Sequence, residues 1–178
     1  MSAFEFVFTF YSVMLGLAAA NVGTGFADMW RDRRAIEVGV CAPLLAAIVL
    51  VATMNLWLRF WRSWEGVEVG PWALITLVAY ALPLVFLSRA MFPGAGSTTS
   101  LEDHFFQHRR VMLAALAATP GFSLIWYASQ GALTPEWPNL WLAIRFAAPL
   151  GLMVLTGRTA NRLGLVALLI WMLVGLFR

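Results

Sequence analysis

The sequence predicts an all-α integral membrane protein with six transmembrane helices and one short cytoplasmic amphipathic surface helix. Three observations point to this class. The chain is 61% hydrophobic and only 12% charged, about half the charged content of an ordinary soluble domain. Apolar runs recur along it, each near the ~20 residues an α-helix needs to cross a hydrocarbon layer. The remaining charges collect between those runs, with arginine concentrated in alternate connections, which is how orientation is written into a multi-pass chain. The 178 residues are consumed by spans and short connections, so a single transmembrane domain over 1–178 is expected.

The first span is expected over residues 4–27, broken only by Glu5 at its outer edge. Gly16, Ala18, Ala19, Ala20, Gly23 and Gly25 give it small-residue faces that suit close helix packing. The opening M-S-A-F-E-F has neither a basic n-region nor a small-residue cleavage site, so this segment is expected to be a retained span. A charged turn, D-M-W-R-D-R-R-A-I-E, leads to span two over 36–58, with Pro43 in its first turns. The next connection, R-F-W-R-S-W-E-G-V-E-V-G, alternates tryptophans with charges. Span three covers 71–90, starting at Pro71, which suits a first helical turn, and containing Pro83.

P-G-A-G-S-T-T-S reads as a loop. The longest polar interval follows, S-L-E-D-H-F-F-Q-H-R-R at 100–110. Ser100 and Asp103 fit the [ST]-x-x-[DE] signature of a capped helix start. A helical wheel puts Leu101, His104, Phe105, His108 and Met112 on one stripe, with Asp103, Gln107 and Arg110 opposite. That pattern predicts a helix parallel to the membrane surface before the chain enters span four at 111–130. Pro120-Gly121 predicts a kink within that span. Span five is expected over 139–156 with Arg145 and Pro149 inside it, and span six over 163–177 after the turn G-R-T-A-N-R.

All twelve basic residues are arginine, which excludes chemistry through a lysine amine. The net charge of +3 reads as a membrane-orientation bias and not as a nucleic-acid surface. Arg31, Arg33, Arg34, Arg89, Arg109, Arg110, Arg158 and Arg162 fall in the connections after spans one, three and five. The positive-inside rule therefore predicts those connections in the cytoplasm and both termini in the periplasm. Trp57, Trp61, Trp64, Trp72, Trp126, Trp137 and Trp141 gather at the opposite boundary. They read as interfacial anchors or as a surface that receives a lipid, a quinone, a pigment or a partner helix. An internal echo, N-L-W-L-R-F (Asn55 to Phe60) and N-L-W-L-A-I-R-F (Asn139 to Phe146), reads as a shared interfacial anchor.

Few residues carry candidate chemistry. His104 and His108 are the only histidines, and their i,i+4 spacing puts two imidazoles on one face, as a shared metal would require. Asp28, Asp32 and Glu37 lie on the same expected side and could complete such a site; otherwise the two rings rest at headgroup level. Arg145 falls about 10 Å into span five, where a charge marks a functional site, an ion pair with Glu5 or Glu136 as expected partners, or a side chain that snorkels to the outer surface. Asn21 and Asn55 are the other intramembrane polar candidates, and hydrogen bonds between helices explain them. The single cysteine, Cys41, excludes disulfide frameworks and is expected to pack as a small apolar side chain.

The motifs D-x-F-F-x-x-R-R (Asp103, Phe105, Phe106, Arg109, Arg110), F-x-x-x-x-x-x-L-G-L-A (Phe8 to Ala18) and R-x-R-R together resemble small bacterial inner-membrane proteins of uncharacterised function. The resemblance implies a bacterial origin and a six-helix layout, and it carries no activity. The expected role is that of a non-enzymatic accessory or structural subunit of a larger membrane assembly. Its expected partners are membrane lipids, other membrane subunits or a second copy of itself. The rival expectation is a homo-oligomeric channel or small-solute transporter with Arg145 in or near the pathway, since Pro43, Pro83, Pro120 and Pro149 could break helices around a cavity.

Overall fold

A computed structural model describes residues 3–32, 38–63, 70–94, 100–134 and 137–177. Among these the fold is all-helical: α1 (Ala3–Asp32), α2 (Cys41–Ser63), α3 (Pro71–Ala90), α4 (Leu101–Ser129), α5 (Trp137–Val154) and α6 (Arg158–Leu176). Five of the six are long and apolar enough to cross a membrane; the exception is α5, whose apolar stretch is Pro138–Val154. The chain is thus a helical, membrane-embedded protein.

α2 is the centre of the bundle. It packs against α1, α3, α4 and α6, while α1 also packs on α3, α4 on both α3 and α5, and α5 on α6. Hydrophobicity cannot select the innermost helix in a lipid solvent, where tails are as apolar as leucine, so close approach of small residues does more of that work. α2 supplies them: Ala42, Ala46 and Ala52 are buried beside Cys41, Leu45, Ile48 and Val49. On α1 the small residues divide. Ala18 is buried, and Gly25 is pressed against the Phe92 ring. Gly16 and Gly23 face open space, so only part of the expected small-residue surface makes a helix contact.

Span one runs on to Asp32, span two shifts to Cys41–Ser63 and span five to Trp137–Val154, and two further boundaries change the layout. No break separates residues 100–110 from the following span: the segment forms the first three turns of α4, a continuous helix of 29 residues. Such a helix rises about 43 Å, longer than a ~30 Å hydrocarbon layer. Nothing between Arg110 and Val111 breaks a helix, and Leu101, Glu102 and Phe105 are buried in the bundle instead of lying along its surface. The expected turn before span six is likewise helical from Arg158. Asn161 ties it down by donating through Nδ2 to the Leu155 and Gly157 carbonyls at 2.7 and 3.0 Å. This makes α6 19 residues long, and the shortest apolar segment is α5. Helices α3, α4 and α5 run through Pro83, Pro120 and Pro149 without interruption.

Candidate functional site: a polar end and an aromatic end

The C-termini of α1 and α3 meet the N-termini of α2, α4 and α6 at one end of the bundle, and its centre is Glu102. Gly39 takes a left-handed φ of +62°, which turns the following backbone N–H groups toward α4. A Cβ at Gly39 would run into the Glu102 carboxylate, so the turn needs glycine for conformation and for space. Glu102 Oε2 accepts hydrogen bonds from the Val40 and Cys41 amides, both at 3.0 Å. Its Oε1 accepts from Cys41 Sγ at 3.3 Å and from Arg162 Nε at 3.1 Å. A carboxylate from α4 thereby caps the positive end of the α2 dipole, and Arg162 of α6 balances its charge. The Glu102 side chain is 6% exposed and that of Arg162 43%.

Ser100 and Asp103 form the expected cap: the Asp103 amide donates to Ser100 Oγ at 3.1 Å, and that hydroxyl donates to Asp103 Oδ2 at 2.8 Å. Asp103 also receives Arg158 at 2.9 Å, and the Arg158 guanidinium lies 5.4 Å from the centre of the Phe106 ring. The two imidazoles share a face, with ring centres 4.6 Å apart. His104 Nε2 hydrogen-bonds the Ala90 carbonyl at 3.1 Å, and His108 Nδ1 the His104 carbonyl at 3.2 Å. Each bond occupies one ring nitrogen as a donor and leaves the other to ligate. Among the described residues no group of three or more His, Cys, Asp or Glu side chains converges here. Asp28 is paired with Arg31, while the Asp32 side chain and Glu37 lie outside the described residues.

The opposite end is aromatic. Phe4, Phe8 and Phe60 stack with centroid separations of 5.7 to 5.9 Å. Trp57 and Trp61 lie parallel 6.2 Å apart, with Trp57 Nε1 donating to Ser12 at 3.0 Å. Beside this stack a cavity of about 620 Å³ opens between α1, α2, α3 and α4, within the volume range of small-molecule sites. Its walls are mainly aromatic and aliphatic, and its polar groups are the Tyr11, Tyr80 and Tyr127 phenols, Ser123, Thr76 and Arg59. Ser123 stands within hydrogen-bonding reach of the Tyr80 phenol. No aspartate or glutamate lines the cavity among the described residues.

Arg59 is exposed toward this space. Leu56 forms part of the cavity wall and also borders a second void of about 10 Å³, which holds Arg145 among Leu84, Leu116, Pro120 and Leu168. A void of that size accepts one water molecule at most. Arg145 is half-buried and points into the bundle between helices, close enough to Arg59 for the two positive charges to repel. Neither arginine makes a hydrogen bond or ion pair with a described residue. Of the two partners expected for Arg145, Glu136 lies outside the described residues.

Asn21 Nδ2 donates across to Ser88 Oγ at 3.1 Å, and Asn55 Nδ2 reaches the Met172 carbonyl at 3.4 Å. Both join helices and neither lines the large cavity. The tryptophans of the aromatic end divide by role. Trp141 is buried against Trp171, ring centres 3.9 Å apart, whereas Trp72 and Trp126 stand at the cavity with 78% and 54% of their surface exposed.

Sequence reasoning missed the role of Glu102 and the convergence of the cavity's polar groups, although Tyr80 stands out as a polar residue within span three. The signal for Glu102 was present: on the α4 wheel it falls with Leu101, Phe105 and Leu113, an acid on an apolar stripe, and such an acid needs a buried partner. The arginines carry a second signal, because each N-L-W-L echo is followed by an Arg-Phe pair, Arg59-Phe60 directly and Arg145-Phe146 after two further residues. The cavity groups chiefly bind and orient. Hydroxyls and indoles donate and accept hydrogen bonds, and a guanidinium holds a charge that never leaves it. No family model, curated protein or solved structure matches the chain.

Proposed function

We propose that this chain is a non-enzymatic, multi-pass protein of a bacterial inner membrane that serves as an accessory subunit and holds an amphipathic molecule in its aromatic-end cavity. The observation that carries the reading is the shape of the space: the 620 Å³ cavity is separated by Leu56 from a void too small for a pathway. A blind pocket retains a molecule, whereas a conduit would have to continue past Arg145. The polar end, with Arg31, Arg89, Arg109, Arg110, Arg158 and Arg162, is cytoplasmic on this reading, and both termini are periplasmic. Partners are membrane lipids and other membrane subunits or a second copy of the chain. Extraction in mild detergent is expected to yield the chain together with other membrane subunits. A monodisperse monomer carrying no lipid or other small molecule overturns the proposal.

A second reading is supported by Arg145 itself. A charge below the cavity floor is what a small-anion channel or transporter would place behind a gate. Opening past Leu56 would then join the two voids. Vesicles containing the protein should pass small anions, and Arg145→Ala should abolish that flux. Tight wild-type vesicles remove this reading.

A further inference from the structure

The geometry points to an anionic phospholipid as the occupant of the aromatic-end cavity, its phosphate held by Arg59 with the Tyr80 and Ser123 hydroxyls beside it. The inference rests on the reading of that cavity as a binding site and names the ligand class. Three features select the ligand. First, two guanidiniums, Arg59 on α2 and Arg145 on α5, approach one another with no described carboxylate paired to either. Arg59 opens on the cavity while Arg145 lies among apolar side chains, and their summed positive field there favours an anion. A neutral quinone or pigment would bring no anion to either.

Second, the polar groups are few and cluster. Arg59, Tyr80 and Ser123 line one cavity, and a guanidinium fork with neighbouring hydroxyls matches a tetrahedral oxyanion. Third, the remaining walls, from Leu56, Phe60, Leu77 and Trp126, are apolar. A free phosphate ion would leave them wet, whereas acyl chains would cover them. Arg145 reaches the phosphate through its field and not by contact, because Leu56 stands between the two voids. Phosphatidylcholine shares the phosphate and the chains but brings its own cation, which Arg59 would repel.

The test reconstitutes the full chain into nanodiscs of equal parts phosphatidylglycerol and phosphatidylcholine and counts retained lipid by native mass spectrometry after release. Phosphatidylglycerol is expected to be retained about tenfold over phosphatidylcholine, a ratio that corresponds to ~1.4 kcal/mol. Arg59→Gln should bring the two to parity, and Ala73→Trp, which fills the cavity from α3, should remove both. Equal retention of the two lipids by the wild type overturns the inference. If Ala73→Trp still removes lipid in that case, the cavity remains a binding site and only the anionic assignment falls. If Ala73→Trp changes nothing, the cavity reading falls and takes the inference with it. Displacement of the bound phosphatidylglycerol by millimolar sodium phosphate assigns the site to a free anion and overturns the lipid. The wild-type ratio decides on its own should a variant not fold.

Discussion

The two ends of this bundle treat charge in opposite ways. At the polar end both acids of the first turn of α4 are answered: Glu102 accepts from two amides, a thiol and Arg162, and Asp103 from its own cap and Arg158. At the aromatic end Arg59 and Arg145 lie near enough for their charges to repel, with no described acid in contact. Answered charges fix helices in register, because breaking them strands buried donors. Arg59 is exposed toward the cavity and holds no described donor or acceptor of the fold in place. The contrast separates residues that build this protein from residues that serve it.

Substitutions at the polar end should therefore cost stability in proportion to the number of donors they strand. Glu102→Ala has the largest expected effect, about 2–3 kcal/mol, since it leaves the Val40 and Cys41 amides without the carboxylate they donate to. Denaturant titration in mixed micelles measures it, and a loss under about 0.5 kcal/mol would show that water replaces the carboxylate without penalty. Gly39→Ala comes next, at about 2 kcal/mol, from the left-handed backbone together with the collision with Glu102. Combining it with Glu102→Ala removes the part of the collision made by the carboxylate, while the Cβ at position 102, 2.8 Å away, stays; the double variant should lose somewhat less than the sum of the two, and strict additivity would refute the shared contact. Ser100→Ala removes the α4 cap for about 1 kcal/mol, visible as faster hydrogen exchange in the first turn of α4. Asp103→Asn is the smallest, under about 1 kcal/mol, because its pair with Arg158 is exposed on both sides.

Much of this was legible in the sequence, for reasons that particular residues make plain. Six helices follow from apolar length, and the Ser100–Asp103 cap from local hydrogen bonding, because both depend on neighbours in the chain. Arg145 announced itself by violating the hydropathy of its span. Boundaries drifted where a tertiary contact outweighed local polarity. The segment at 100–110 reads as a surface helix by its wheel, yet Glu102 crosses to the α2 N-terminus and draws the first turns of α4 into the bundle. Asn161 does the same for α6.

The cavity was illegible because its polar groups come from separate helices. Tyr80 and Ser123 lie on α3 and α4, and Arg59 on α2. No spacing rule within one segment predicts that they converge. The N-L-W-L echo held one trace, since each copy carries one of the two arginines.

The most direct test of the contrast compares Glu102→Ala and Arg59→Gln, each measured for unfolding free energy and for retained phosphatidylglycerol. Glu102→Ala should lose about 2–3 kcal/mol of stability and keep its lipid preference under conditions where it is folded. Arg59→Gln should hold its stability to within about 0.5 kcal/mol and lose the preference. If Arg59→Gln instead destabilises the bundle as much as Glu102→Ala does, the aromatic-end charge belongs to the fold and the division between the two ends is wrong.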